Sequence, residues 1–312
     1  MDAYYSVRHY SDPQDHAQSL LNFDQEYVQV EKGPFRSALM QAELGGLCVY
    51  AESVDRGIVE RTHLEAGCVA LGWRMRAGAT PGFANRQIAP SSGGLLRGGQ
   101  DWMLDLQPGT EMCGITMPAD EFDRLAEPLG VSVLHQRHAL IRPSDRALAT
   151  MQWCLSQIEH QAPRMANADV RASLRDHLLE SVFQAFCEAE PPRRPDVTRL
   201  AYHQVVKRSQ ELALASPDRP PSVLELCAEL RVSRRTLQNS FVHVIGQPPS
   251  SYLRCLRLGR VRRLLRTSPA EALSVGDAAA RWGFFHLGHF ANDYRRLFGE
   301  LPSQTARLPG EH

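Results

Sequence analysis

The sequence predicts an α+β chain in two parts, an N-terminal β-rich part and a C-terminal all-α part. Three observations predict it. Two helix-turn-helix patterns stand in tandem near the C-terminus, beginning at Ser222 and at Ser274. Short strand-like segments bounded by Gly, Pro or Ser fill the span from about 35 to 117. The charge is also divided: from residue 221 on there are 13 arginines, no lysine and 7 acidic residues, a net of +6 hidden inside a chain of net charge zero. Arginine suits forked contacts to phosphate and guanine better than lysine does.

Taken in order, residues 1–30 read as a polar, weakly patterned lead-in. Leu47-Cys-Val-Tyr-Ala51, Gly57-Ile-Val-Glu-Arg61, Cys68-Val-Ala-Leu-Gly-Trp-Arg-Met75 and Trp102-Met-Leu-Asp-Leu106 read as strands, with Ser91-Ser-Gly-Gly94 and Pro108-Gly109 as turns. Many short strands with regular turns indicate a cupin-like barrel or a sandwich and not a βαβ sheet. The period then changes. Pro118 opens a short helix with acidic residues in its first turn, and 144–160 and 167–187 read as longer amphipathic helices. Glu190-Pro-Pro-Arg-Arg-Pro-Asp196 cannot continue a helix, so the boundary falls there. The predicted domains are 1–190 for sensing and dimerisation (strands about 35–117, helices about 118–188), a linker at 191–196, and a DNA-binding domain at 197–312.

In that last domain a helix at 197–215 is ended by Ser216-Pro-Asp-Arg-Pro-Pro221. Ser222 with Glu225 matches a capping box, so the next helix starts at Val223. Ser233 caps a recognition helix from Arg234 to about Ile245, with Leu237 and Phe241 on the core side. Arg235, Gln238 and Asn239 are the candidate base readers, since Arg pairs with guanine edges and Gln or Asn with adenine. Arg234 and Ser240 are assigned to phosphate. Pro249, Ser250 and Ser251 start a connecting helix studded with Arg254, Arg257, Arg260, Arg262, Arg263 and Arg266; not all can share one face. Ser274 with Asp277 caps the second unit and Gly283 makes its turn. Its recognition helix spans 286–298, with Phe290, Tyr294 and Phe298 inward. Gly288, His289 and Asn292 face out, and Arg295 and Arg296 are assigned to phosphate.

Other chemistry finds little support. The barrel region has no His-x-His and no metal spacing; His63 is isolated there, and His135 and His138 follow it without an acidic partner. No Gly-x-Ser-x-Gly, P-loop or dinucleotide fingerprint occurs. No metal, no cofactor and no enzyme are therefore expected. Seven scattered cysteines without a Cys-x-x-Cys pair indicate reduced thiols. With no apolar leader and no run of about 18 apolar residues, the chain reads as cytoplasmic, with no membrane partner. A barrel can enclose one small effector. Tyr50, Trp73, Phe83 and Trp102 are candidate walls, with Glu52, Arg74 and Arg97 as polar anchors. The helices at 144–187 offer an apolar stripe to a homodimer or to their own barrel.

Ala279-Ala-Arg-Trp-Gly-Phe284 through Phe290, Phe298-Gly299, Leu301-Pro302-Ser303 and Arg307 resemble the signature of AraC/XylS-type transcriptional regulators. The resemblance covers about 107 residues, 197–303. It implies a seven-helix domain whose two helix-turn-helix units, joined by a long helix, enter neighbouring major-groove segments of promoter DNA. Arg235, Gln238 and Asn239 match base-reading positions of the first unit, and Gly288, His289 and Asn292 those of the second. Phe285-His286-Leu287-Gly288 and Ala291-Asn292-Asp293 depart from the usual small polar and basic runs, which leans specificity on the first unit. The front half resembles, more weakly, sensor domains of a branch that regulates ethanolamine or amine use, through Phe35, Leu44-Gly-Gly-Leu-Cys-Val49, Gly72-Trp-Arg-Met75 and Leu95 to Gly98. That similarity is one of pattern and carries no effector across. The resemblance implies an activator of a catabolic operon with RNA polymerase as a partner. The alternatives are a regulator without effector or governed by a protein partner, and, more remotely, a metal-dependent barrel enzyme fused to a DNA reader.

Overall fold

The computed structural model describes residues 4–76, 93–131, 134, 138–141, 144–188 and 197–309. Phe83 and the predicted linker at 191–196 lie outside these residues, as does His135. The N-terminal part is β-rich and the C-terminal part helical, as expected.

The strands form two antiparallel sheets. The larger has the order β1 (Tyr5–Tyr10), β3 (Ser37–Glu43), β4 (Cys48–Val54), β9 (Thr110–Pro118), β6 (Cys68–Arg76), β7 (Gly93–Arg97) and β10 (His138–Ile141). The smaller has β2 (Phe23–Gln29), β5 (Ile58–Leu64) and β8 (Asp101–Leu106). Two expectations are corrected here. Residues 1–30 are no loose lead-in: β1 pairs with β3 from Tyr5↔Ala42 to Tyr10↔Ser37, and β2 pairs with β5. Between them sits the short helix α1 (Pro13–Ala17), capped by Asp12. Strands therefore begin at Tyr5 and not near residue 35, and Gly93 and Gly94 belong to β7 and not to a turn.

Successive side chains alternate across each sheet, and both faces pack against other layers except at the edge strand β1, whose residues are exposed or half-buried. On one face of the large sheet Val49, Val69, Leu71, Trp73, Leu95 and Ile115 pack against α2 (Ala119–Ala126), α3 (Asp145–His160) and α4 (Ala168–Glu188), through Phe122, Met151, Leu178, Val182 and Phe186. Between the sheets lie Tyr27, Phe35, Val54, Ile58 and Leu106, together with Leu20, Leu39 and Tyr50. The outer face of the small sheet supplies Val28 and Val59 to the core of the first helical unit, beside Val206, Leu237, Phe241, Tyr252 and Leu256. The order of layers is thus helices, large sheet, small sheet, helices. No helix of the described residues is long and apolar enough to cross a membrane.

Candidate nucleic-acid interface

The C-terminal part opens with α5 (Val197–Ala215), and the first unit follows as α6 (Val223–Glu229) and α7 (Arg234–Ile245). Both start where hydroxyl caps predict. Ser222 Oγ accepts from the Glu225 amide at 3.2 Å while the Ser222 amide donates to the Glu225 carboxylate at 2.8 Å, which closes the capping box. Hydrogen bonding to the backbone holds the Glu225 carboxyl below its ordinary range. Ser233 Oγ accepts from the Thr236 amide at 3.0 Å. Between the helices Arg231 adopts φ 53°, the left-handed step that reverses the chain.

On α7, Leu237, Phe241, Val244 and Ile245 are buried and Phe241 lies against Tyr252. Arg234, Arg235 and Gln238 are exposed side by side and Asn239 is half-buried. Neither arginine forms an ion pair among the described residues, so both forks are presented outward. Ser240 requires a correction: it is fully buried, and its hydroxyl donates to the Thr236 carbonyl at 2.8 Å. A hydroxyl turned onto its own helix inside the core is not available to phosphate.

The second unit is α9 (Val275–Ala280) and α10 (Leu287–Phe298). Ser274 caps α9 by accepting from the Asp277 amide at 3.0 Å. Buried Ala278 and Ala279 let α10 close onto α9. Gly283 turns at φ 73°, and a β-carbon there would stand 2.7 Å from Pro220, so only glycine fits. Phe290, Tyr294, Leu297 and Phe298 face the core. Gly288, His289, Asn292, Arg295 and Arg296 are exposed together. A side chain absent from the earlier assignment joins them: Phe285, 70% exposed, with Leu287 beside it at 51%. An apolar pair at the head of a reading helix suits contact with thymine methyl groups. The apolar run Phe284-Phe285 in place of polar residues was the available signal.

The connecting helix α8 (Pro249–Arg266) is 18 residues long, roughly 27 Å. It ties the two units together: Arg254 pairs with Asp293 of α10 at 3.2 Å, and Arg257 reaches the Trp282 carbonyl at 3.2 Å with its guanidinium over Phe284. Three other arginines face the N-terminal part. Arg260 pairs with Glu26, Arg262 with Asp12 at 2.8 Å and Glu300 at 2.7 Å, and Arg266 with Asp12 at 2.8 Å and Asp15 at 2.6 Å. Asp15 raises the Arg266 pKa further. Further along the same seam Lys207 of α5 pairs with Asp101 at 2.9 Å and holds that carboxyl well below the usual range. The Gln29 amide donates to the Leu297 carbonyl at 2.8 Å, and the Gly33 amide to the end of α10. No segment of the sequence announced these acidic partners.

Among the described residues, the predicted effector side chains do not all face one pocket. Tyr50, Glu52 and Arg74 point between the sheets. Trp73 and Arg97 point the other way, into the helix layer, where Arg97 pairs with Asp123 at 2.6 Å. Beside Trp73 the free space is only about 10 Å³, room for one water at most. Between the sheets, Glu52 takes the Tyr27 hydroxyl at 3.0 Å and lies 3.1 Å from His16, and Gln25 donates to Glu60 at 2.7 Å. Burial, then the neighbouring Glu52, pushes the Glu60 carboxyl well above its ordinary pKa. Tyr27 and Tyr50 are raised for the same reasons. Burial lowers Arg74, whose guanidinium donates to the Asp105 carbonyl at 3.3 Å. Among the described residues no cluster of His, Cys, Asp and Glu is placed to hold a metal ion.

Comparison with known proteins converges on the helical part. A family model described as a helix-turn-helix domain matches residues 226–308. A probable thc operon regulatory protein of Rhodococcus erythropolis is 34% identical over 117 residues, 37% of this chain and 32% of that protein. A XylDLEGF operon transcriptional activator of Pseudomonas putida is 44% identical over 85 residues, 27% of this chain and 26% of that one. The solved structure of a probable AraC family transcriptional regulator from Rhodopseudomonas palustris is 35% identical over 34% of this chain and 99% of its own, with a TM-score of 0.30. The C-terminal part is an AraC-type helix-turn-helix domain. This chain spans about a third or less of the length of the two operon regulators it matches. Within the AraC-type domain the matched residues contain α7, α8, α9 and α10 whole, so the family match and both outward polar faces coincide.

Proposed function

We propose that this chain is a cytoplasmic promoter-binding activator of a catabolic operon, governed by a small-molecule effector through its β-rich part. The observation that carries the reading is the pair of helices α7 and α10, each with an exposed polar face and both tied to α8, α7 through Phe241 against Tyr252 and α10 through Asp293 with Arg254. Arg235, Gln238 and Asn239 read bases from α7. Gly288, His289 and Asn292 do so from α10, where Gly288 lets the backbone approach. Arg234, Arg295 and Arg296 hold phosphate. Residues 197–312 are the DNA-binding domain, 191–196 the linker, and 1–190 the sensing and dimerising domain. RNA polymerase is the further partner. Trp153, half exposed on α3, supports a homodimer through the outer faces of α3 and α4.

The test is selection of duplexes from a random pool by the full chain, followed by affinity against salt concentration. The reading expects one enriched motif and affinity that falls steeply with salt, as phosphate contacts require. A pool that stays unenriched, with uniform weak binding, contradicts it.

A further inference from the structure

One cavity of the described residues lies neither inside the sheets nor on the reading helices. It sits in the seam between α1 with β2 on one side and α8 on the other, and holds about 290 Å³. That is the lower edge of the range for small-molecule sites.

We propose that this seam cavity is a binding site for a small organic monocarboxylate with an apolar body and one hydroxyl or N–H donor, and that its occupancy tunes the hold of the β-rich part on the two reading units. Four features of the cavity argue for it. Arginines 260, 262, 263 and 266 line it; the carboxylates of Asp12, Asp15, Glu26 and Glu300 are taken up by the other three, which leaves the Arg263 charge unmatched by a direct partner among the described residues. Arg263 is exposed and forms no ion pair among the described residues. Two buried polar atoms of lining residues lack hydrogen-bond partners: Arg260 Nε, a donor, and Gln29 Oε1, an acceptor. Gln29 is 3% exposed, so water does not freely meet that oxygen. Last, Gly259 stands in the middle of α8 with nothing within 4 Å of where a β-carbon would be. A mid-helix glycine costs about 1 kcal/mol against alanine, and here its effect is to leave room.

The chemistry follows from those groups. A carboxylate meets Arg263 and Arg260 Nε, and the opposite donor meets Gln29 Oε1. The body rests on Val28, Leu256 and Phe298. A ligand there touches both halves of the chain. Because α8 carries both reading units, DNA affinity changes by as much as the ligand prefers one setting of the seam over another. This rests on the DNA-reading function proposed above, and refines it by locating the effector outside the sheets.

The experiment uses the full chain with 4-hydroxyphenylacetate as probe and its neutral counterpart 4-hydroxyphenylethanol as control. Melting temperature and affinity for a selected duplex are both read. The wild type should melt higher with the acid and not with the alcohol, and its duplex affinity should shift with the acid. Gly259→Leu, which fills the cavity, should fold and bind duplex without ligand yet lose the response. Arg263→Gln should weaken the acid by about tenfold or more, the worth of one charged hydrogen bond, and decides the matter if Gly259→Leu does not fold. An equal response in wild type and both variants overturns the seam site and leaves the effector reading standing. No response to the acid from a protein that selects duplex also overturns it. A chain that selects no duplex yet shows the acid-specific melting shift supports the seam and sinks the DNA reading instead.

Discussion

Arg235 stands exposed on the face of α7 with its guanidinium uncommitted to any acid among the described residues, which is the state a base reader needs before DNA arrives. Arg235→Ala should weaken binding to the selected duplex by about 1–3 kcal/mol and relax preference at one base. Equal loss on matched and random duplexes would make it a phosphate contact instead. Ser240 shows why one residue along the same helix behaves differently: a 100° step per residue carries it into the core, and its hydroxyl goes to Thr236. Glu60 supplies a prediction of another kind. Its folded pKa is raised above the unfolded value of about 4.3 by burial and by Glu52. The native state then holds a proton that the unfolded chain has released, so stability falls as pH rises from about 4 toward the raised folded pKa. Glu60→Gln removes that loss. It should melt above wild type at pH 8, with the gap closing toward pH 4; no gap at pH 8 would mean the carboxylate is well solvated.

At the scale of elements, the helical part was legible because its signals are local. Ser222, Ser233 and Ser274 each cap the helix they were read to cap. Gly283 turns the second unit, and Gly283→Ala should cost about 1–3 kcal/mol through its positive φ and the 2.7 Å approach to Pro220. Melting of the full chain measures it, and an unchanged melting temperature would refute the strain. The β-rich part was less legible because its faces depend on register between distant strands. Alternation alone puts Tyr50 and Glu52 on one face of β4. Which face of β6 they meet is set through β9: Tyr50 pairs with Gly114, and Gly114 with Gly72, so Gly72 and Arg74 share the interior and Trp73 is turned to the helices. Gly114 is required there, since a β-carbon would stand 2.3 Å from the Tyr50 hydroxyl. Likewise β1 and β2 carry weak alternation of their own and become strands by pairing with β3 and β5, about 30 residues on.

For the whole molecule, the seam matters most. The six arginines on α8 cannot all share one face. Half of them are committed to Glu26 of β2, Asp12 at the cap of α1, Asp15 within it, and Glu300 after α10, which fixes the reading units against α1 and the small sheet. The Arg262 side chain is 14% exposed with two carboxylate partners. Arg262→Ala should cost about 1.5–3 kcal/mol, whereas Arg254→Ala, whose side chain is 58% exposed, should cost under about 1 kcal/mol. Comparable small losses from both would show that the seam does not hold. In the bound state α8 sets the spacing of α7 and α10, and successive major-groove faces on one side of the duplex lie about 34 Å apart.

Base-resolution footprinting of the full chain on its selected duplex tests this account most directly. It predicts two protected major-groove patches on one face of the DNA, about one helical turn apart, the first lost with Arg235→Ala and the second with Asn292→Ala. A single patch indifferent to both substitutions would contradict it.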